Sequence, residues 1–195
     1  MAEHRWGKEL DQVILTVTWD LLAQVGYDKL TINAVAQASK TNKNAIYRRW
    51  QNKAELVLAT IQSQAPALDS SVPDTGNLGG DLTALFTKFT PLLATVPAET
   101  WQRLIPDALL TAADNQAVGS LVAAINGDNL ITTATAQIIE QAKKRREPVR
   151  SALKSEQLAL PALLLINQLM LAGALSSEKI ATLVNDILLP IYLVS

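Results

Sequence analysis

The sequence predicts an all-α protein, and three observations predict it. Apolar residues recur at three- and four-residue steps through most of the 195 positions, and no run reads as a strand. Helix-starting residues such as Thr31, Asn42 and Asn52 and stopping residues such as Gly26 and Pro148 punctuate those runs. Between residues 65 and 80 the composition changes to Pro, Ser, Asp, Asn and Gly, which marks a loop and a seam. The expected organisation is therefore one domain over 1–64, a connecting loop over 65–80 and a second helical domain over 81–195.

Leu10, Val13, Ile14, Val17, Leu21, Leu22 and Val25 form one apolar face of a helix over 9–25, which Gly26 stops. Residues 27–30 are a short connection. Thr31 caps a second helix whose inner face is Ile32, Val35 and Ala36. Ala38, Ser39 and Lys40 leave room only for a tight turn. Thr41 or Asn42 caps a third helix reaching about Trp50, and Asn52 caps a fourth, with Glu55 placed to reach back to the cap. Beyond the seam, helices are expected over 81–96 with a kink at Pro91, over 99–112, 115–125, 129–146, 156–175 and 177–193.

Composition excludes several chemistries. There is no cysteine, so no disulfide, thiolate metal site or cysteine nucleophile, and His4 is the single histidine. No catalytic constellation, metal site or cofactor is expected. The chain has no signal-peptide pattern, and the apolar stretch 158–175 is interrupted by Pro161, Asn167, Gln168 and Gly173, so a cytoplasmic protein with no membrane span is expected. Net charge is −1, but it is unevenly spread. Residues 40–53 carry Lys40, Lys43, Arg48, Arg49 and Lys53 with no acid among them. A small basic patch on a mildly acidic body is the footprint of a duplex-DNA reader.

Two short helices joined by a tight turn and braced by a longer one make a helix-turn-helix, whose second helix enters the major groove. Such a helix needs short polar groups at its exposed start, and Asn42, Lys43 and Asn44 supply them; Asn pairs with adenine and Lys reaches guanine acceptors. Tyr47, Arg48, Arg49 and Lys53 suit phosphate. Ala45, Ile46 and Trp50 face the domain interior.

Thr31-Ile32-Asn33-Ala34-Val35-Ala36, then the turn, then Ala45-Ile46-Tyr47-Arg48-Arg49-Trp50 and Asn52-Lys53-Ala54-Glu55-Leu56-Val57 resemble the DNA-binding domain of the TetR family across about residues 9–60. The resemblance implies that Thr31 caps its helix and meets phosphate, that Tyr47 and Lys53 contact the backbone, and that positions 41–44, beginning with Thr41, face the groove. It also implies an N-terminal three-helix helix-turn-helix domain followed by a helical ligand-binding and dimerisation domain. The expected partners are a palindromic double-stranded operator, a second copy of the chain and a small-molecule effector. The implied function is a sequence-specific repressor released by that effector. One departure stands out: where the family often carries Gly and then an apolar residue in the turn, this chain has Lys40 and Thr41, so Lys40 must accept a geometry that favours Gly. A basic residue there can add a phosphate contact.

Several features admit a plainer reading. Lys143-Lys144-Arg145-Arg146 is either a second nucleic-acid patch or, as the helix dipole favours, a solvated helix end. His4, Arg5, Trp6 and Lys8 are a minor-groove arm or, more in keeping with a terminus, frayed chain. Phe86, Phe89, Trp101, Gln102, Arg103 and Met170 line a cavity or simply pack, and no ligand residue can be assigned from the sequence. The helix over 160–175 is apolar nearly all round and needs cover, from a partner's last two helices if the resemblance holds or from an ordinary intrachain core. An alternative function keeps the fold but acts through a protein partner, with DNA contact secondary; an enzyme lacks any nucleophile motif.

Overall fold

The computed structural model describes residues 2–65, 69, 71–111 and 130–194, and the side chains of 7–65, 69, 71–110 and 130–194. The helix expected over 115–125 lies outside the described residues. Among the described residues every regular element is helical: α1 (Ala2–Lys29), α2 (Ile32–Ala38), α3 (Lys43–Tyr47), α4 (Lys53–Gln64), α5 (Leu78–Thr87), α6 (Thr90–Leu93), α7 (Ala98–Thr111), α8 (Leu130–Lys144), α9 (Ser155–Ala172), α10 (Ser177–Thr182) and α11 (Leu189–Tyr192). A π-helical stretch, Leu183–Leu188, joins α10 to α11. The all-α expectation is met.

The boundaries show which signals are decisive. Gly26 breaks α1 with φ 74° and ψ 172°, so helical backbone stops where expected. The chain then makes one further helical turn instead of a plain connection, closed by Leu30 N–H to the carbonyls of Gly26 and Tyr27 at 3.2 and 3.3 Å. The helix expected over 81–96 is in fact two. Asn77 caps α5 by accepting from Gly80 N–H at 2.8 Å, so the helix begins at Leu78, three residues before the expected start. The chain breaks at Lys88–Phe89, and Pro91 stands in the first turn of α6, where its missing N–H costs nothing. Gly173 ends α9 in the left-handed region at φ 64°, and a Cβ there would lie 2.1 Å from the Ala98 carbonyl, so only glycine lets α9 meet the start of α7.

One hydrophobic core runs through the described residues, from Ile14, Val35 and Ile46 through Val57 and Ile61 to Leu104, Ile138 and Val184. Helix α4 packs on both α1 and α7, and α7 continues onto α9. This continuity ties the short N-terminal helices to the remainder. Within one chain helix α9 is covered on one side only. Its Ala159, Ala162, Leu165, Ile166 and Leu169 face inward, whereas Met170 and Leu171 are exposed, Leu171 at 70%. By length and mean apolarity α9 could also cross a bilayer; its inward face packs on α7 and α8.

Candidate DNA-binding surface

The turn between α2 and α3 is a Schellman motif with lysine in the position usually taken by glycine. Thr41 N–H reaches back to the Ala36 carbonyl at 2.9 Å and Lys40 N–H to Gln37 at 3.2 Å. Lys40 has φ 52°, as the sequence demands of it. Such a conformation costs a β-carbon-bearing residue about 1 kcal/mol. Buried Ser39 donates its hydroxyl to the Val35 carbonyl at 2.6 Å, which satisfies the helix end inside the core.

Caps set the start of each helix. Thr31 Oγ1 accepts from Ala34 N–H at 3.1 Å, leaving its own O–H to donate outward. Asn42, not Thr41, caps α3: its Oδ1 accepts from Ala45 N–H at 2.9 Å. Asn42 is one of the expected base-reading residues; its carbonyl oxygen is engaged in the cap, and its amide N–H groups are the part left to offer a base. Asn52 Oδ1 accepts from Glu55 N–H at 2.8 Å, while Glu55 reaches back one residue further than expected, to Gln51 N–H at 2.8 Å. The α-helical ladder of α3 ends at Tyr47, earlier than Trp50; Arg49 and Trp50 N–H groups both close on the Ile46 carbonyl at 2.9 Å in a final turn.

These constraints present one polar face. Ile46 is fully buried and Trp50 nearly so, which anchors α3 to the core. Lys40, Asn42, Lys43, Asn44, Tyr47 and Arg48 are exposed, as is Thr31 at the head of α2, and Thr41 is half-buried. Two of the expected phosphate residues are engaged within the protein. Arg49 pairs through Nε with Asp11 of α1 and donates from Nη1 to the Ala45 carbonyl at 2.9 Å, so it braces the recognition helix against α1. Lys53 stands over the Tyr27 ring with Nζ 4.0 Å from the centroid, and donates to the Tyr27 carbonyl at 3.2 Å.

Tyr27 and Asp11 are the residues that sequence reading misses. Asp11 lies 38 positions from Arg49, and nothing local pairs them. Tyr27, 5% exposed, donates its hydroxyl to Asp107 of α7. Burial, then the hydrogen bond and the nearby carboxylate charges of Asp107 and Asp28, raise its ionisation far above the ordinary tyrosine range, so it stays a donor. A buried tyrosine directly after a helix-stopping glycine is the one local signal. Beside it opens a cleft of about 940 Å³, walled by the end of α1, including Trp19 and Tyr27, by the 95–103 segment and by Met170. Of the cavity candidates, Gln102, Arg103 and Met170 line this cleft, whereas Phe86 and Trp101 are core, with Trp101 Nε1 donating to the Leu93 carbonyl at 2.9 Å.

The basic tract at the end of α8 divides: Lys144 and Arg146 are exposed, as a solvated helix end requires, whereas Arg145 is drawn inward. Arg145 reaches Asp74 at 2.7 Å, buried Asp81 at 2.6 Å and Glu147 at 2.9 Å. Asp81 also accepts from Thr75 Oγ1 at 2.8 Å, and Glu147 from Leu78 N–H at 2.8 Å. Arg145 is thus the centre of a clasp between the start of α5 and the end of α8. Lys143 pairs with Glu140 at 2.8 Å.

A capped, two-helix turn with an exposed polar recognition face defines a helix-turn-helix DNA-binding protein. The family of bacterial regulatory proteins of the tetR type matches residues 14–60. The chain is 32% identical, over 91% of its own length and 85% of the relative's, to an uncharacterized HTH-type transcriptional regulator of Mycobacterium tuberculosis. It is 37% identical to the DNA-binding transcriptional repressor TetR of Mycobacteroides abscessus over 40% of this chain and 41% of that one. A solved structure from Rhodococcus sp., described as a TetR-family transcriptional regulator, shares the fold at TM-score 0.53 and 16% identity, over 94% of this chain and 98% of that one. The chain belongs to the TetR family and is a transcriptional regulator.

Proposed function

We propose that this regulator is a homodimeric repressor that reads a palindromic operator and is released by a small molecule. The observation that carries the reading is the exposed face of α3, where Lys43 and Asn44 project from a helix anchored by Ile46 and Trp50, with no side-chain partner among the described residues. In this reading residues 1–64 form the DNA-binding domain, 81–195 the effector-binding and dimerisation domain, and 65–80 their connection. Asn42, Lys43 and Asn44 read bases. Thr31, Lys40, Tyr47, Arg48 and Lys53 meet phosphate and set the register, and Thr41 faces the groove beside Asn42. Arg49 supports the helix through Asp11, and any phosphate contact it makes is shared with that brace.

A dimer is supported by the outer face of α9, which presents Leu171 and Met170 to solvent. Two copies would cover that face and set the spacing of two recognition helices on successive major grooves. An effector that bound better to a conformation with the helices misspaced would weaken operator binding by that difference in affinity. The M. abscessus relative's name, a DNA-binding transcriptional repressor, agrees with the sign of the regulation.

Selection of sites from a random DNA pool, with the mass in solution measured alongside, tests the whole reading. A palindromic consensus bound by two chains is expected; a folded dimer that enriches no sequence would overturn it. Leu171→Asp should yield monomers that bind the selected site far more weakly, since a single chain grips only one half-site; a persistent dimer moves the interface elsewhere.

A further inference from the structure

We propose that Tyr27 is a positioning residue for DNA binding: its ring and carbonyl hold Lys53 in place, and its hydroxyl ties that hold to α7 through Asp107. The inference rests on the reading of Lys53 as a phosphate contact.

Lys53 is the first residue of α4, and its ammonium has three N–H donors. One goes to the Tyr27 carbonyl, and the charge rests on the ring face. The remaining donors are available to an anion. A free lysine loses rotamer freedom when a phosphate immobilises it, and a lysine already held loses less. Tyr27 can do the holding because it is itself fixed at three points. Gly26 turns the chain with a left-handed φ, burial confines the ring, and Asp107 takes the hydroxyl proton in a hydrogen bond. A merely structural tyrosine would need the burial and the hydroxyl partner. It would not need a lysine of the proposed DNA face seated on its ring.

The arrangement also has a consequence for regulation. Asp107 belongs to α7, so a shift of α7 against α1 pulls on Tyr27 and through it on Lys53. The other strap across the same gap, Arg103 to Asp28 at 3.6 Å, is exposed at both ends and contributes little. Tyr27 is therefore a buried hydrogen-bonded link between the α7 helix and Lys53, added to the packing of α4 on α7, and it forms part of the cleft wall.

The test is a double-mutant cycle on the selected operator, with affinity followed across salt concentrations. Lys53→Ala should weaken binding about tenfold and lower the salt slope by about 0.9 for each phosphate it leaves unneutralised. Tyr27→Leu, which removes ring and hydroxyl, should reproduce most of both effects. Tyr27→Phe, which keeps the ring beneath Lys53 but frees it from Asp107, should cost about threefold. In the Lys53→Ala background both tyrosine changes should cost almost nothing further. Multiplicative losses, or Tyr27 variants with the affinity and salt slope of the parent, would overturn the proposal. If Tyr27→Leu does not fold, Tyr27→Phe alone and in the Lys53→Ala background decides by the same criterion. A Lys53→Ala protein that binds like the parent would remove the phosphate reading of Lys53, and this inference with it. The DNA reading of the chain would still stand or fall separately, on Lys43.

Discussion

Two basic tracts, Lys40–Lys53 and Lys143–Arg146, look alike in the sequence and are placed in different surroundings by the fold. Each contains a Schellman turn, and each turn places a basic residue in the left-handed region, Lys40 at φ 52° and Arg146 at φ 63°. What separates them is the acids that the fold brings near. Lys40, Lys43 and Arg48 have no acidic partner among the described residues, and Arg49 alone of the α3 cations is drawn inward to an acid, Asp11. Around Arg145 the start of α5 delivers Asp74 and Asp81, and the following turn delivers Glu147. On the proposed reading, the tract offered to nucleic acid is the one whose cations the fold leaves mostly without acids. The sequence displays the cations and Glu147; the other two matching acids are 64 and 71 positions away.

The comparison is tested most strongly by removing the acid at the centre of the clasp. Asp81 is fully buried and takes hydrogen bonds from Arg145 and Thr75. Asp81→Ala should destabilise the fold by about 3 kcal/mol, because it removes the buried partner of Arg145 and leaves the Thr75 N–H and hydroxyl without their acceptor. Chemical denaturation measures this. The affinity of the folded fraction for DNA should not change. A loss of DNA affinity per folded molecule would mean that the second tract serves the operator after all.

On the other tract the expectation reverses. Lys43→Ala and Asn44→Ala should leave the denaturation midpoint within error, since both side chains are exposed. Each should relax sequence preference at one or two base pairs, by about 1–3 kcal/mol for a good base contact. Tyr47→Phe should instead weaken binding to every sequence about equally, because a phosphate contact carries no sequence information. A changed consensus with Tyr47→Phe would show that the roles of Tyr47 and Lys43 are exchanged.

These contrasts also show how far the sequence can be read. Local signals survive folding. The caps at Thr31, Asn42 and Asn52, the stop at Gly26 and the strained turn at Lys40 all depend on neighbours within five residues, and all are found. Expectations that depend on distant partners fare less well. Arg49 and Lys53, expected to be free for DNA, are seated on Asp11 and Tyr27; Arg145, expected in solvent, lies in a clasp. The split of 81–96 into α5 and α6 escapes the sequence for a different reason: Pro91 reads equally well as a kink or as a first-turn residue, and the chain break at Lys88–Phe89 is unmarked by any Gly or Pro.

The finest comparison uses the two left-handed residues themselves. Glycine at either position relieves the clash between Cβ and the following carbonyl, so Lys40→Gly and Arg146→Gly should each stabilise the fold by about 1 kcal/mol, a gain visible as a small rise in melting temperature. Their effects on DNA should differ. Lys40 is exposed beside the recognition helix, so its glycine variant should lose affinity and give a shallower salt dependence even as it gains stability. Arg146 lies at the clasp, where the charge matching belongs to Arg145, so its glycine variant should gain stability and keep its affinity. If Lys40 contacts the operator as proposed and Arg146 does not, that pairing of outcomes follows. Equal affinities for both variants would reduce Lys40 to a turn residue with no part in the operator.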